Sequence, residues 1–347
     1  MPTTYAIPNG STVFAATTYT GTGAALTLSN AVNGTSFQPD LVWMKSRSNA
    51  TDNELVDSVR GATKSLVSNS TAAEATDANG LTAFGSTGFT LGTDANYNGS
   101  GRTFVGWQWK ANGAAVTNTA GSITSQVSAN TTAGFSVVTY SANGSTGTVG
   151  HGLGVAPSMI IVKKRNAAER WCVYHTSTSN AYIYLNETNA AEPANAQLRF
   201  GNNSSVVQPA STVFTIGSSN DVNGSSGTYV AYCFAAVPGY SEFGRYTGNG
   251  SSDGPFCYTG FRPRFVMFKR TDSTGSWFME DSSRGTYNVM GPELYANNSD
   301  PEANVNRLDF LSNGFKMRAG NAGDNANGGT YIYAAFAEAP FKYANAR

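Results

Sequence analysis

The sequence predicts an all-β protein of three tandem β-sandwich repeats, jelly-roll-like in their strand economy, and three observations carry that prediction. The chain states itself nearly three times, in Pro39-Asp40-Leu41-Val42-Trp43-Met44-Lys45, Pro157-Ser158-Met159-Ile160-Ile161-Val162-Lys163 and Pro263-Arg264-Phe265-Val266-Met267-Phe268-Lys269. Each copy then closes on a matched segment, Thr103 to Trp109, Thr228 to Phe234 or Thr330 to Phe336. Between these apolar runs the chain is filled with Gly, Ser, Thr, Asn and Ala, while 17 Tyr and 19 Phe supply bulk, and no segment has a convincing amphipathic helical pattern. A unit of roughly a hundred residues is the size of one small domain, and a handful of short strands in that length fits a sandwich.

Residues 1–12 are polar, lack a clear strand pattern and read as an N-terminal arm suited to docking on a partner. Repeat 1 covers residues 13–112, repeat 2 residues 133–237 and repeat 3 residues 238–347, with 113–132 as a linker around one extra strand, Ser122 to Val127. The short turn Val237 to Ser241 predicts a fixed orientation of repeats 2 and 3, whereas the longer linker predicts an offset or mobile repeat 1.

Within a copy the opening strand passes through Thr18-Tyr19-Thr20, Val138-Thr139-Tyr140 or Arg245-Tyr246-Thr247 and runs into a Gly-rich turn. The proline-to-lysine strand is apolar on both faces, as in Val42 and Met44 against Leu41 and Trp43, so it is expected to be central and covered on both sides. The next strand, Asn53 to Asp57, Trp171 to His175 or Trp277 to Asp281, is spaced to form an antiparallel hairpin with it. Segments beginning Gly88-Phe89, Val213-Phe214 and Gly314-Phe315 precede each closing strand. The segments Asn69 to Gly80, Asn186 to Ala196 and Asn298 to Asn306 read as surface loops, with a helical turn as the alternative in each.

Charge excludes two partner classes. Lys plus Arg equals Asp plus Glu at 22 each, so no net field draws the chain to nucleic acid or to an anionic membrane. No apolar stretch is long enough for a membrane span, and Met1-Pro2-Thr3-Thr4-Tyr5 lacks the basic region and apolar run of a signal peptide. Cys172, Cys233 and Cys257 are odd in number and too few for a disulfide framework, and Cys233 reads as a buried hydrophobe.

The side chains that carry chemistry are sparse. Asp94-Ala95-Asn96-Tyr97-Asn98-Gly99 has the front half of a calcium loop, but the twelfth position is Val105, so it reads as an Asn-Gly hairpin turn rather than a metal site. Lys45 with Asp57 and Lys269 with Asp281 lie twelve residues apart on neighbouring strands, which suits a structural ion pair or a polar brace near the sheet edge. The middle copy has His175 at that place. His151 and His175 are the only histidines and no Gly-x-Ser-x-Gly elbow is present, which leaves no nucleophilic triad. Glu54, Asp57, Glu280 and Asp281 are acids that glycosidase chemistry would need, yet neighbours on a strand face opposite ways. Trp171, Tyr174, Tyr182 and Tyr184 offer a stacking platform for a sugar, against which stands the recurrence of Trp171 as Trp277, the habit of a core residue. No cofactor or metal site is expected.

The strings Ala133 to Tyr140, Gly150-His151-Gly152-Leu153-Gly154-Val155-Ala156-Pro157 and Gly227 to Ala235 resemble a tandem-repeated β-rich domain of uncharacterised function in virion proteins of tailed bacteriophages. The likeness is good over the second and third copies and weaker in the first, which has Asn33-Gly34-Thr35-Ser36-Phe37 in place of the His-Gly-Leu-Gly turn. It implies a non-enzymatic tail, fibre or appendage protein, carried out of the cell in the particle and assembled with other virion proteins and with copies of itself as a trimer or ring. A glycan-binding adhesin and a capsid decoration protein are the alternatives. The resemblance assigns no catalytic or binding residue.

Overall fold

Each copy builds a main antiparallel sheet with its closing strand in the middle. The computed structural model describes residues 5–337 apart from Asn33 and Ser179. In the first copy the closing strand Thr103–Trp109 pairs with the opening strand Phe14–Thr20 on one side. On the other it pairs with the proline-to-lysine strand Leu41–Ser46, which pairs in turn with Glu54–Asp57. The second copy repeats the order with Phe135–Ser141, Thr228–Phe234, Met159–Lys164 and Cys172–His175. The third does so with Ser241–Thr247, Thr330–Ala337, Pro263–Arg270 and Trp277–Asp281. The hairpin read from the sequence is thus present in all three copies, and the protein is all-β with sandwich-like layering.

The outward face of each main sheet is covered by smaller strands. In the first copy these are Leu26–Ser29, Gly88–Leu91 and Leu81–Gly85, and Val42, Met44 and Val56 pack outward with Phe89 and Leu91. In the second they are Gly147–Gly150 and Val213–Ile216, over Ile160 and Val162. In the third, Met290–Tyr295 carries the main sheet on into Ala303–Leu311, Gly314–Met317 and Phe256–Tyr258.

The inward faces do not close three separate cores. Leu41, Trp43 and Trp107, Met159, Ile161 and Tyr232, and Phe265, Met267 and Phe336 all belong to one continuous apolar cluster. Trp109, Phe234 and Phe336 hold the same repeat position and meet pairwise, with ring centroids 6.1, 5.8 and 5.6 Å apart. Around them Leu41, Met159 and Phe265 leave a gap of only about 20 Å³. It lacks the polar partners a trapped water needs, so the centre is dry. An apolar strand whose neighbours are the other repeats looks, in sequence, the same as one inside its own sandwich.

The contacts between copies repeat cyclically, which closes the three as a ring about an approximate threefold axis. Lys45 donates from Nζ to Ser299 O in the third copy at 2.8 Å, Lys163 to Thr71 O in the first at 3.0 Å, and Lys269 to Asn189 O in the second at 2.8 Å. Burial lowers each of these lysine pKa values to about 8, so the ammonium groups stay protonated at neutral pH and can serve several carbonyls. Eight residues after each lysine a second donor does the same. Asn53 Nδ2 bonds Tyr295 O at 2.8 Å, Trp171 Nε1 bonds Val67 O at 2.9 Å and Trp277 Nε1 bonds Tyr184 O at 2.9 Å. Backbone pairs complete the clasp, Thr51 N to Ser299 O, Glu169 N to Thr71 O and Gly275 N to Thr188 O. The segments read as surface loops are the receiving side of these clasps.

Three further expectations change. Residues 113–132 are not a loose linker with one strand: Val116–Asn118 and Ser125–Asn130 pair with each other and extend the second main sheet through Phe135–Ser141. Repeat 1 is held by the same clasps as the others rather than being offset. Residues 5–12 are not a free arm either, and residues 1–4 lie outside the described residues. Ile7 is buried in the shared core, and the Tyr5 ring lies against Gly239, whose φ of +80° fits the turn between the second and third copies. Deleting Met1 to Gly10 is therefore expected to lower stability by about 2–4 kcal/mol, through the loss of buried Ile7. A urea midpoint unchanged by the deletion would return these residues to the status of an arm.

Candidate functional site

Two of the acids flagged in the sequence, Asp57 and Asp281, build junctions between repeats. The strand register places Leu41 opposite Asp57 and Met44 opposite Glu54, which puts Lys45 and Asp57 at opposite ends of their hairpin. The expected lysine–aspartate pair therefore does not form, and the site is interior rather than at an edge. Asp57 instead pairs with Arg60, both side chains fully buried, and accepts a hydrogen bond from Tyr232 OH of the second copy at 2.8 Å. Arg60 also bonds Glu74, which holds Arg165 of the second copy in a two-pronged pair at 2.9 Å. The third copy repeats this against the first. Asp281 pairs with Arg284 and accepts from Trp107 Nε1 at 2.9 Å, while Arg284 and Arg47 share Glu302.

The remaining junction, between the second and third copies, has exchanged every member of this set. His175, Thr178, Ala191 and Thr271 stand where the others have Asp, Arg, Glu and Arg, and Ala334 stands where they have Trp107 or Tyr232. Ala334 has no donor for an acid, and a neutral imidazole fits instead. His175 Nε2 bonds Tyr333 O at 3.1 Å and its Nδ1 accepts from Ser177 N, which assigns the proton to Nε2. Phe243, opposite Ala334 in the register, restores the lost volume and contacts the imidazole ring.

Burial lowers the His175 pKa to about 4, opposed in part by the bond to Tyr333. Because the folded value lies below that of the unfolded chain, the unfolded state binds more protons between about pH 6.5 and 4, and stability falls as the pH falls through that window. The contribution is up to roughly 3 kcal/mol. His175→Gln, which keeps a donor toward Tyr333, is expected to show a shallower decline in thermal midpoint over that interval than the natural chain. Parallel declines would remove His175 as the cause.

The calcium-like string is a turn staple. Asp94 caps the one-turn helix Ala95–Asn98 by accepting from Asn96 N, and Asn98 donates to Ala24 O and Gly92 O while accepting from Thr22 N. Asn223 and Asn325 fasten the equivalent turns in the other copies. The expected hairpin is thus a helical turn. Gly99 has φ −56° and is favoured by crowding, since a Cβ there would lie 3.0 Å from Ala95 O. Among the described residues no cluster of His, Cys, Asp and Glu has the arrangement to hold a metal ion.

The other candidates are also interior. Buried His151 bonds Ala210 O through Nε2 and accepts from Leu153 N, and all three cysteines are buried thiols. Glu54 is inter-layer, with Tyr97 OH donating to it at 3.0 Å and burial raising its pKa to about 7. Glu280 is equally buried, and burial pushes its pKa well above the usual carboxylate range. Opposite facing separates both from Asp57 and Asp281, so these four carboxyls do not pair across a cleft. Trp171, Tyr174, Tyr182 and Tyr184 are buried, which overturns the stacking platform read at those residues.

Exposed aromatic surface lies elsewhere, on the third copy. Phe256, Tyr258, Tyr287 and Val289 are all exposed, Tyr287 to 85%. Beside Tyr287 opens a cleft of about 520 Å³ lined by Arg262, Thr286, Asn288, Phe310, Leu311, Ser312 and Asn313. Asn288 fixes one wall, since its side chain both donates to Phe310 O and accepts from Phe310 N at 2.9 Å. Asn313 O accepts from Thr259 N and Gly260 N and so ties the other wall to the strand that carries Tyr258. An aromatic face beside amides, hydroxyls and a guanidinium is the chemistry of a polar ring-shaped ligand. The cue for Phe256 and Tyr258 was their alternation about buried Cys257.

A sequence profile for a domain of unknown function, DUF7483, matches residues 9–340. The chain belongs to that family. The DUF7483 match runs through all three copies without a break, so the family's unit coincides with the whole closed ring rather than with one repeat. No curated protein and no solved structure matches the chain.

Proposed function

We propose that this DUF7483 chain is a non-enzymatic structural protein of a tailed-bacteriophage virion, a tail, fibre or appendage component that meets a host-surface glycan through the cleft beside Tyr287. The observation that carries the reading is the cyclic interlock. Asp57, Asp281, Arg60, Arg284, Lys45, Lys163, Lys269 and both histidines are spent on holding the ring or its turns together, while exposed aromatic surface gathers on one copy. The resemblance of the second and third copies to phage virion repeats supports the particle. One chain already supplies a threefold arrangement, so self-association is not needed to bury its inner faces, and neighbouring virion proteins are the partners that matter most.

Cryo-electron microscopy of the intact particle tests this reading. A few copies at the tail or its fibres are expected, hundreds over the shell would make the chain a capsid decoration protein, and absence from the particle would overturn the virion assignment. The cleft itself favours a second reading, a glycan-binding adhesin that acts outside any particle. For the cleft, Tyr287→Ala is expected to abolish retention on a glycan array at least tenfold while leaving the thermal midpoint within a degree or so, because an exposed ring contributes little to folding. Equal retention by the variant would sink the contact role.

A further inference from the structure

We infer that the junction between the second and third copies carries a second binding site, separate from the Tyr287 cleft, for a saccharide bearing a carboxylate or sulfate group. The inference comes from comparing three equivalent places in one chain. On the inward face of each main sheet, at the rim beyond the lysine, a row of side chains crosses three strands: Thr20, Thr103 and Arg47 in the first copy, Ser141, Thr228 and Arg165 in the second, and Thr247, Thr330 and Thr271 in the third. Arg47 and Arg165 reach across to Glu302 and Glu74 and close their junctions.

In the third copy both halves of that plug are gone, because the arginine is Thr271 and the glutamate position is Ala191, whose N–H still bonds Thr271 O at 2.9 Å. An arginine reappears one strand pair away. Arg245 occupies the place of Thr18 and Thr139 on the opening strand, and among the described residues it has neither an ion-pair nor a hydrogen-bond partner. Where the plug is missing there is a pocket of about 340 Å³, lined by Arg245, Thr247, Thr271 and Thr330 and closed on its far side by Ser177 of the second copy. At the equivalent place on the second copy, where Arg165 lies across, the cavity falls to about 210 Å³.

The lining selects the ligand class. Thr271 and Thr330 hydroxyls lie 2.8 Å apart and bond each other, which leaves acceptor lone pairs for sugar hydroxyl donors. Adjacent strands are ~4.8 Å apart, close to the span between alternate hydroxyls of a pyranose ring. A volume of about 340 Å³ lies at the small end of ligand pockets and suits one or two sugar rings. An unpaired guanidinium adds a two-pronged partner for one carboxylate or sulfate.

The test uses the full chain and ligand-observed NMR with sialyllactose, a hyaluronan tetrasaccharide, a sulfated disaccharide, neutral lactose, and inorganic phosphate and acetate as bare anions. Binding of at least one acidic saccharide is expected, at least tenfold tighter than lactose and than either bare anion. Arg245→Ala should weaken it at least tenfold, and so should Thr271→Arg, which rebuilds the plug seen at Arg165. Tyr287→Ala should leave it unchanged, which separates this site from the cleft. Unaltered binding in Arg245→Ala, equal binding of lactose, or bare anions binding as well as the sugars would each overturn the inference. Arg245 is exposed, so a folded Arg245→Ala protein is expected even if Thr271→Arg proves unstable.

Discussion

Asp57→Ala is expected to lower the free energy of unfolding by about 3–5 kcal/mol, the cost of leaving one partner of a buried ion pair alone. Its carboxylate accepts from Val59 N, Arg60 N, Arg60 Nε and Tyr232 OH, and both charged side chains are fully buried. Removing it strands the guanidinium and the tyrosine hydroxyl in the interior and opens the junction of the first and second copies. Asp281→Ala should behave alike at the junction of the third copy with the first, where Trp107 Nε1 loses its acceptor. His175→Ala at the uncharged junction should cost less, about 1–3 kcal/mol, because it orphans one carbonyl and one N–H but no charge. Urea midpoints at constant slope measure all three. A cost for Asp57→Ala below that for His175→Ala would mean that the ionic junctions do not hold the ring.

The strands and one hairpin per copy were legible in the sequence; the middle place of the closing strand and the destination of each sheet's second face were not. The two-faced strand Leu41 to Lys45 was correctly read as central, and alternation correctly separated Val42 and Met44 from Leu41 and Trp43. Nothing in those residues says whether the second apolar face meets the same repeat or its neighbours, because burial against either is chemically the same. The lysine–aspartate spacing misled because the loop takes up only part of the eleven intervening residues: Met44 already faces Glu54, so Asp57 lies further along its strand and faces Leu41. A usable signal did exist at the third junction. Asp to His175, Arg to Thr178, Glu to Ala191 and Arg to Thr271 are scattered over residues 175–271, yet they change together, as partners in one contact must. Tyr182 and Tyr184 could not be told from Tyr258 and Tyr287 by residue type. What separates them is sheet position, since the first pair lies under Arg199 and Arg170 and the second lies at a rim.

The shared core makes a stronger prediction than any point substitution: residues 113–237, the second copy with its two added strands, are expected not to fold alone. Their inward face consists of Phe135, Val137, Met159, Ile161, Trp171, Tyr232 and Phe234, each at most 5% exposed in the ring. Each large apolar side chain contributes about 1.5–3 kcal/mol on burial, so exposing these removes on the order of 10–20 kcal/mol. That equals or exceeds the typical net stability of about 5–15 kcal/mol for a whole domain. The outer layer around Ile160, Val162, Phe214 and Ile216 is left to support the fragment by itself. The isolated segment should therefore give a collapsed amide spectrum or aggregate, while the full chain unfolds in one transition with tryptophan fluorescence and far-ultraviolet dichroism coincident. Trp43, Trp107, Trp109, Trp171 and Trp277 are spread over all three copies and all buried, so fluorescence reports on every junction at once. A monomeric fragment with dispersed resonances and its own sharp transition would show that the inner faces tolerate water. The clasps at Lys45, Lys163 and Lys269 would then be links between independent domains and not the closure of one core.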